Sequence, residues 1–344
     1  MTKSRQVADF GAGGFTAGKN KIINGDFSIN QRNFTTTSDL SGTNVYTVDR
    51  LAMNSYLGAQ TTTVQTFTTG TSPSGYELTN YLRTVTTSQS TSGYCIATQK
   101  IEDVRTFAGQ TVTFSFLAKA ASGTPKVAFY LRQNFGTGGS PSSSVDTLGG
   151  TVTLSTSWAR YSITVAIPSI SGKTIGTTVN TSCLEMNAVF SSGTYSFGQS
   201  IGAQNNTFEH TAWQLEQGSV ATPFTTATGT IQGELAACQR YYWRRTGTQY
   251  LGTGSANSAT QGDFIIQFPV EMRTAPTMAT NSGTAYFKAF MGNTDTTATT
   301  IGNFFTTGTL TVNGRITGSG LTTGYATVGF INNASAYLEA SSEL

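Results

Sequence analysis

Apolar and polar residues alternate with a period of two along most of this chain. Successive side chains of a β-strand point to opposite faces, so this alternation is typical of strands that bury one face and expose the other. Stretches rich in Gly, Ser and Pro separate the alternating runs, as turns would. The clearest predicted strands before residue 225 cover 45–56, 61–69, 93–104, 110–121, 126–136, 157–168, 183–192 and 207–217. The pattern predicts an antiparallel sandwich or jelly roll.

A second group of alternating segments occupies the last hundred residues. They cover 262–272, 285–293, 301–318 and 324–340. The sequence "VNGR" at 312–315 predicts a hairpin turn, because Asn-Gly tolerates positive φ. No repeat of 20–50 residues is visible, which argues against a propeller or β-helix. The predicted fold class is therefore all-β, with two antiparallel β-sandwich (jelly-roll-like) domains joined by a short helix.

One segment, 230–245, has the periodicity of a helix instead of a strand. Ile231, Leu235, Cys238 and Tyr242 are spaced to form one apolar stripe. A short helix cannot bury such a stripe alone, so these residues are predicted to contact another copy of the chain or the domain junction.

Composition and charge exclude several classes of protein. Only 11% of residues are charged, the net charge is +3, and the Lys and Arg residues do not cluster in a run. Nucleic acid is therefore not an expected partner. Roughly one residue in six is Thr, a β-former. The sequence contains no apolar run long enough to span a membrane, and no secretion signal is visible. Cys95, Cys183 and Cys238 are far apart, so we expect buried thiols in a reducing compartment, and His210 is expected to be packed or solvated.

Four segments together resemble phage tail-fibre and related virion-fibre proteins. They are "NKIINGDFSINQR" (20–32), "YTVDR" (46–50), "WQLEQGSVATPF" (213–224) and "ELAACQRYYWR" (234–244), with "FPVEMRTAPT" (268–277) continuing the pattern. In that family the "INGDF" strand opens a jelly roll of carbohydrate-binding-module type. Leu51 stands where the family usually has Trp. The resemblance implies a receptor-binding homotrimer on the outside of a virion, assembled in the host cytoplasm and held to a tail or virion adaptor by its N-terminus.

The resemblance and the periodicity together divide the chain into four parts. Residues 1–19 are predicted to be the virion-attachment segment, 20–228 the jelly roll, 229–245 the junction helix and 246–344 the receptor-binding tip. The tip is favoured as the receptor site because it lies farthest from the attachment segment and carries aromatic residues beside long polar loops. The candidate receptor-binding residues are Tyr286, Phe304, Phe305 and Tyr325.

Host-surface glycan is the predicted ligand, and two alternatives stay open. One is a purely structural virion component, such as a head decoration or tail spacer, and the other is a glycan depolymerase. Depolymerisation needs two carboxyl groups about 5–10 Å apart, whereas the acidic residues of this chain are scattered, so we do not expect an enzyme. No cofactor is expected. Asp26 is a weak candidate ligand for a structural Ca²⁺, since sugar-binding jelly rolls often hold one near the start of the chain.

Overall fold

The computed structural model describes residues 18–38, 42–73, 75–292, 294–305 and 307–344. Strands hold 47% of the residues and helices 4%, which confirms the all-β class. The chain forms two compact units: the first extends to Leu235 and takes in Leu344, and the second is Ala236–Glu343. Most of the predicted attachment segment, 1–17, lies outside the described residues.

The first unit is a sandwich of two six-stranded antiparallel sheets. Its strands are β1 (Thr36–Ser38), β2 (Val45–Tyr46), β3 (Ala52–Tyr56), β4 (Ala59–Thr66), β5 (Asn80–Thr87), β6 (Tyr94–Glu102), β7 (Thr111–Ala120), β8 (Lys126–Asn134), β9 (Val145–Thr153), β10 (Ala159–Ala166), β11 (Cys183–Ser192) and β12 (Asn206–Gln217). Sheet A has the order β1-β4-β5-β12-β7-β10, and sheet B has the order β2-β3-β6-β11-β8-β9. A short 3₁₀ helix, Ser196–Gly198, follows β11.

Aromatic residues from both sheets form the core of this sandwich. Phe114 of β7 stacks on Phe129 of β8 with ring centroids 4.7 Å apart, and Trp213 of β12 meets Phe114 edge-on at 5.4 Å. All three side chains are fully buried. Each contributes about 1.5–3 kcal/mol through removal of apolar surface from water. The alternating apolar face predicted for these strands is the face that points into this core.

Apolar alternation around Asn24-Gly25 predicts a strand broken by a turn or bulge over residues 20–32, and the structure has the turn there but no strand. Asn24, with φ of 59°, donates from Nδ2 to the carbonyl oxygens of Ile29 and Asp49 at 2.8 and 3.0 Å. Its Oδ1 accepts the Ile29 amide at 2.8 Å. The Asp49 carboxylate accepts from the backbone and side-chain nitrogens of Gln31 at 2.5 and 3.1 Å. The side chains therefore satisfy the backbone locally, which is how Asn and Asp compete with sheet ladders.

Gly25 sets how closely this turn approaches β12. The Trp213 amide donates to the Gly25 carbonyl at 2.9 Å. A β-carbon on Gly25 would lie 2.2 Å from the Trp213 carbonyl oxygen, so only glycine fits. Asn20 adds Nδ2 bonds of 3.0 Å to the carbonyls of Trp213 and Thr225. The "INGDF" and "WQLEQ" sequences are therefore in contact, and hydrogen bonds join the turn at 20–32 to β12.

The second unit has two further antiparallel sheets around its own core. Its strands are β13 (Tyr242–Thr246), β14 (Gln249–Ser258), β15 (Gln261–Gln267), β16 (Thr277–Thr280), β17 (Phe287–Met291), β18 (Thr294–Ala298), β19 (Asn303–Phe305), β20 (Thr311–Thr317), β21 (Ala326–Ile331) and β22 (Tyr337–Ser341). Sheet C has the order β13-β22-β16, and sheet D has the order β18-β17-β21-β14-β15-β20-β19. Trp243 and Leu338 from sheet C pack with Phe264 and Phe287 from sheet D.

The predicted helix is shorter than its pattern indicated. It is α1 (Ile231–Gln239), and Tyr242 begins β13, which pairs with β22. The predicted stripe of Ile231, Leu235, Cys238 and Tyr242 is therefore not one face: Ile231 is 53% exposed, whereas Cys238 is fully buried. Glu234 is the other buried position, one turn before Cys238. Within the described parts of the chain, no helix is long and apolar enough to cross a bilayer.

The predicted "VNGR" hairpin turn is also wrong. Residues 312–315 lie inside β20, where Gly314 pairs with Phe264 of β15. A β-carbon on Gly314 would lie 3.2 Å from the Phe264 ring, and one on Gly329 would lie 2.4 Å from it. Both glycines leave space for this buried ring. The Asn-Gly pair therefore lies within a strand, where the glycine makes room for a buried ring, and the chain does not reverse direction there.

The isolated cysteines and the histidine are packed in the interior. Cys95, Cys183 and Cys238 are buried, and burial raises the pKa of Cys95. His210 has no exposed surface and lies 5.0 Å from Phe190 and 5.2 Å from Trp213, between ring centroids. Burial lowers its pKa to about 3, so the imidazole is neutral at physiological pH.

Candidate functional site

A cleft of about 610 Å³ lies on the outer face of sheet B. It crosses four adjacent strands, β3, β6, β11 and β8, whose opposite face supplies the core of the first unit. The lining residues are Gly42, Asn44, Asn54, Tyr56, Tyr94, Ile96, Thr98, Tyr130, Arg132, Glu185, Asn187, Tyr195 and Phe197. Strands lie about 4.8 Å apart, so four of them give the cleft a span of about 14 Å.

Five rings, which we call the aromatic wall, line one part of the cleft. The members of the aromatic wall are Tyr56, Tyr94, Tyr130, Tyr195 and Phe197. Tyr94 is central: its ring centroid lies 5.9 Å from that of Tyr56, 5.2 Å from that of Tyr195 and 5.7 Å from that of Phe197. Phe197 also stacks on Tyr130 at 5.4 Å. Tyr56 is 40% exposed, so the wall presents ring surface to solvent.

The sequence builds this wall from two sources. Tyr56 and Tyr94 are direct cross-strand partners in β3 and β6, which brings their rings together on one face. Tyr195 and Phe197 come from the segment that follows β11. Gln199 anchors that segment, since its Nε2 donates to the Phe129 carbonyl at 2.8 Å and its Oε1 accepts the Gly150 amide at 2.7 Å.

Five polar side chains, which we call the polar floor, line the rest of the cleft. The members of the polar floor are Asn54, Thr98, Arg132, Glu185 and Asn187. Thr98 and Asn187 are cross-strand partners, and the Thr98 hydroxyl donates to Asn187 Oδ1. Asn54 donates from Nδ2 to Asn44 Oδ1 at 2.8 Å, while its own Oδ1 is buried without a hydrogen-bond partner.

A row of alternating charges crosses one end of the cleft. Register places Lys100, Glu185, Arg132 and Asp146 side by side on β6, β11, β8 and β9. Arg132 donates from Nε and Nη2 to the two carboxylate oxygens of Asp146 at 2.6 and 2.9 Å. This bidentate bond raises the pKa of Arg132, which stays charged. Asn134 donates from Nδ2 to Glu185 Oε1 at 3.1 Å.

Two tyrosines of the cleft, Tyr94 and Tyr130, are neutral hydrogen-bonding groups. Burial raises the pKa of Tyr94, and the neighbouring Tyr195 and Tyr56 add to the effect. Burial also raises the pKa of Tyr130. Each therefore offers an apolar ring and an O–H group at physiological pH, which suits a ligand that has apolar faces and hydroxyl edges.

The four residues predicted to bind a receptor lie in the second unit, outside the cleft on sheet B. Tyr286 and Phe304 are half-buried against the core of the second unit. The guanidinium of Arg315 lies 4.8 Å from the centre of the Phe305 ring. Tyr325 alone is largely exposed, at 63%. None of the four is in the lining of the cleft, and their predicted receptor role stays a prediction.

Asp26 has a local structural partner. Its Oδ1 accepts the Ser28 hydroxyl at 2.9 Å within the turn at 20–32. In the described part of the chain, no group of three or more His, Cys, Asp or Glu side chains is placed to hold a metal ion. The geometry gives Asp26 the role of a turn-forming side chain.

The residues of the cleft were not singled out from the sequence, although a signal was there. Their strands were predicted, and Tyr56, Tyr94, Asn54, Thr98 and Asn187 occupy the polar-facing positions of those strands. Tyrosine and asparagine on an outward face of predicted neighbouring strands would have indicated a binding surface. The strand order 3-6-11-8 that joins them is not readable from local pattern.

Comparison with known proteins gives distant structural likenesses. No family profile and no curated protein matches the sequence. A domain of tailspike protein 4 of bacteriophage CBA120 is 11% identical over 58% of this chain, with a TM-score of 0.31, and this chain spans 21% of that one. A family 11 carbohydrate-binding module from Clostridium thermocellum, in complex with a mixed-linked tetrasaccharide, is 10% identical over 55% of this chain and 99% of its own, with a TM-score of 0.31.

A third similar structure is the CBM22-1 xylan-binding domain from Paenibacillus barcinonensis. It is 9% identical over 60% of this chain and 99% of its own, again with a TM-score of 0.31. Similarities at this level carry no argument about what this chain binds. The functional case therefore rests on the geometry of the cleft itself.

Proposed function

We propose that this protein is a non-catalytic attachment protein of a bacteriophage particle and that it binds host-surface glycan in the cleft of its first unit. The observation that carries the proposal is the aromatic wall beside the polar floor. A sugar ring has an apolar face that packs on an aromatic ring, and an edge of hydroxyls that amides and carboxylates bind. The span of about 14 Å suits several sugar units.

The part of the proposal that concerns the virion rests on the sequence. The resemblance of 20–32 and 213–224 to virion fibres supports an external fibre, with an N-terminal attachment segment that binds a tail or virion adaptor. A homotrimer is the expected assembly, because closed rotational symmetry is usual for repeated chains. The proposal moves the receptor site from the second unit, where the sequence favoured it, to the first.

Absence of catalysis is part of the proposal. Glycoside hydrolysis ordinarily uses two carboxyl groups placed on either side of the scissile bond. Among the described lining residues Glu185 is the one carboxylate. Binding without cleavage is what such a lining supports.

The test is binding of the full-length protein to an array of oligosaccharides from bacterial surface polysaccharides. Tyr94→Ala removes the central ring of the aromatic wall and should weaken binding about 5- to 150-fold, since the loss of an aromatic ring that packs on a ligand typically costs about 1–3 kcal/mol. Tyr325→Ala is the matched control: it removes an exposed tyrosine that the sequence favoured as a receptor residue. It should bind like the unaltered protein.

Two results would count against the proposal. If Tyr325→Ala weakens binding and Tyr94→Ala does not, the receptor site lies in the second unit. If the unaltered protein binds no glycan of the array, the purely structural alternative is favoured.

A further inference from the structure

We infer that the cleft selects uncharged glycans and discriminates against those that carry carboxylates, and that Asp146 sets this preference by occupying Arg132. The inference rests on the proposed glycan-binding function and names the class of glycan. Glycans of bacterial surfaces come in both classes, neutral and acidic, so the distinction decides which surface the protein recognises.

The cation of the cleft is paired within the protein. Arg132 is the single Lys or Arg among the described lining residues. An unpaired arginine in a sugar cleft would bind a uronate or sialate carboxylate through two parallel N–H bonds. Here Asp146 already accepts from the Nε–Nη2 edge of Arg132, at 2.6 and 2.9 Å, and its carboxylate balances the positive charge of the guanidinium. The cation that could attract an acidic sugar is thus neutralised from within the protein.

One carboxylate, that of Glu185, is among the described residues that line the cleft. Glu185 lines the cleft, and its cross-strand partners are Arg132 and Lys100. Lys100 is outside the lining, while Arg132 is committed to Asp146. The row Lys100–Glu185–Arg132–Asp146 sums to zero charge, so it exerts no net attraction on an anion. An anionic group placed in the cleft would meet Glu185 at close range.

Repulsion by Glu185 is large enough to change the affinity for an acidic glycan measurably. A carboxylate held a few ångströms from Glu185 in a solvent-open cleft is repelled by an amount that corresponds to roughly a fivefold loss of affinity. A neutral hydroxymethyl group at the same position meets no such repulsion. It can accept an N–H from Arg132 or donate to Glu185, because a hydroxyl is both donor and acceptor.

The experiment uses matched pairs of ligands on the full-length protein. Each uronic-acid-containing oligosaccharide is measured beside its carboxyl-reduced form, in which –CH₂OH replaces –COO⁻ on the same carbon and the linkages are unchanged. Neutral oligosaccharides complete the array. We expect the reduced form of a bound pair to bind roughly fivefold more tightly than the acid. Equal binding, or tighter binding of the acid, would overturn the inference while leaving glycan binding itself intact.

Asp146→Asn separates this role from simple structural support. It frees Arg132, so the ratio of reduced-form to acid affinity should fall or reverse, and the acid affinity gained should weaken as salt is added. Glu185→Gln removes the repulsion and should bring the ratio towards one. Asp103→Asn is the control, because Asp103 forms a similar ion pair with Arg105 at 2.9 Å outside the cleft. Its ratio should match the unaltered protein.

The outcomes are distinguishable. If the ratio of reduced-form to acid affinity is the same for Asp146→Asn as for Asp103→Asn, the assigned role of Asp146 is overturned. If Asp146→Asn melts at a much lower temperature than Asp103→Asn, its binding data reflect lost stability, and Glu185→Gln is the deciding variant. A ratio of reduced-form to acid affinity that is the same in Glu185→Gln as in the unaltered protein would then overturn the inference. Failure of every member of the array to bind would remove the proposed function and this inference together.

Discussion

At the scale of single residues, the buried polar groups of the first unit organise the fold. Asn24 and Asp49 fasten the turn at 20–32 through their side chains. The same sequence looked like an interrupted strand, because alternation of apolar residues cannot distinguish a strand from a turn whose side chains point alternately inward. What distinguishes them is the set of partners of Asn24, which includes Asp49 and Glu234, 25 and 210 positions away in sequence.

His210 should make the first unit sensitive to acid. Burial holds its folded-state pKa at about 3, below the ordinary value of 6.5. The unfolded chain therefore binds a proton that the folded chain does not, and the stability that His210 contributes is complete above pH 6.5 and is lost as pH falls towards 3. The free energy of unfolding should fall by up to about 1.4 kcal/mol per pH unit from this residue.

Denaturant unfolding of the unaltered protein and of His210→Phe, at pH 7, 6, 5 and 4, measures this contribution. Phe is chosen because the site already packs rings, including those of Phe190 and Trp213. Between pH 6 and 4 the free energy of unfolding of the variant should fall less steeply with pH than that of the unaltered protein. The difference in slope should correspond to the uptake of about one proton on unfolding. Parallel curves for the two proteins would show that His210 does not titrate between its two states as described.

At the scale of elements, the hydrophobic pattern predicted most strands of the sandwiches but misplaced the buried face of α1. A helix usually buries its apolar stripe. In α1 the buried positions include the carboxylate of Glu234, which is fully buried, and Ile231 is exposed. The reason is the set of donors that surrounds Glu234: it accepts from the backbone N–H groups of Asn24 and Thr228 at 2.8 and 2.7 Å. A carboxylate with those partners is stabilised where an apolar side chain would leave both donors unpaired.

Glu234→Ala should therefore destabilise the first unit by roughly 2–4 kcal/mol, because it leaves two N–H groups without their acceptor. Glu77→Ala removes an exposed glutamate from the same unit and should change stability by less than about 0.5 kcal/mol. The measurement is the midpoint of denaturant unfolding for both variants. Equal midpoints would show that Glu234 does not stabilise the turn at 20–32.

At the scale of the whole molecule, the two antiparallel sandwiches were predictable and the site was not. Strand content follows from local alternation, so the fold class could be derived from the sequence. The cleft depends on which strands become neighbours: Tyr94 meets Tyr56 across one pairing, and Asn187 meets Thr98 across another. These pairings join residues up to about a hundred positions apart, and local pattern carries no information on them. Position along the chain favoured the second unit instead.

The most direct test of the central claim is a crystal structure of the full-length protein with its tightest-binding oligosaccharide from the array. The account predicts sugar rings against Tyr56 and Tyr94 in the first unit, with ligand hydroxyls within hydrogen-bond distance of Asn54 and Asn187. Sugar bound beside Tyr325 in the second unit, with the cleft of sheet B unoccupied, would contradict it.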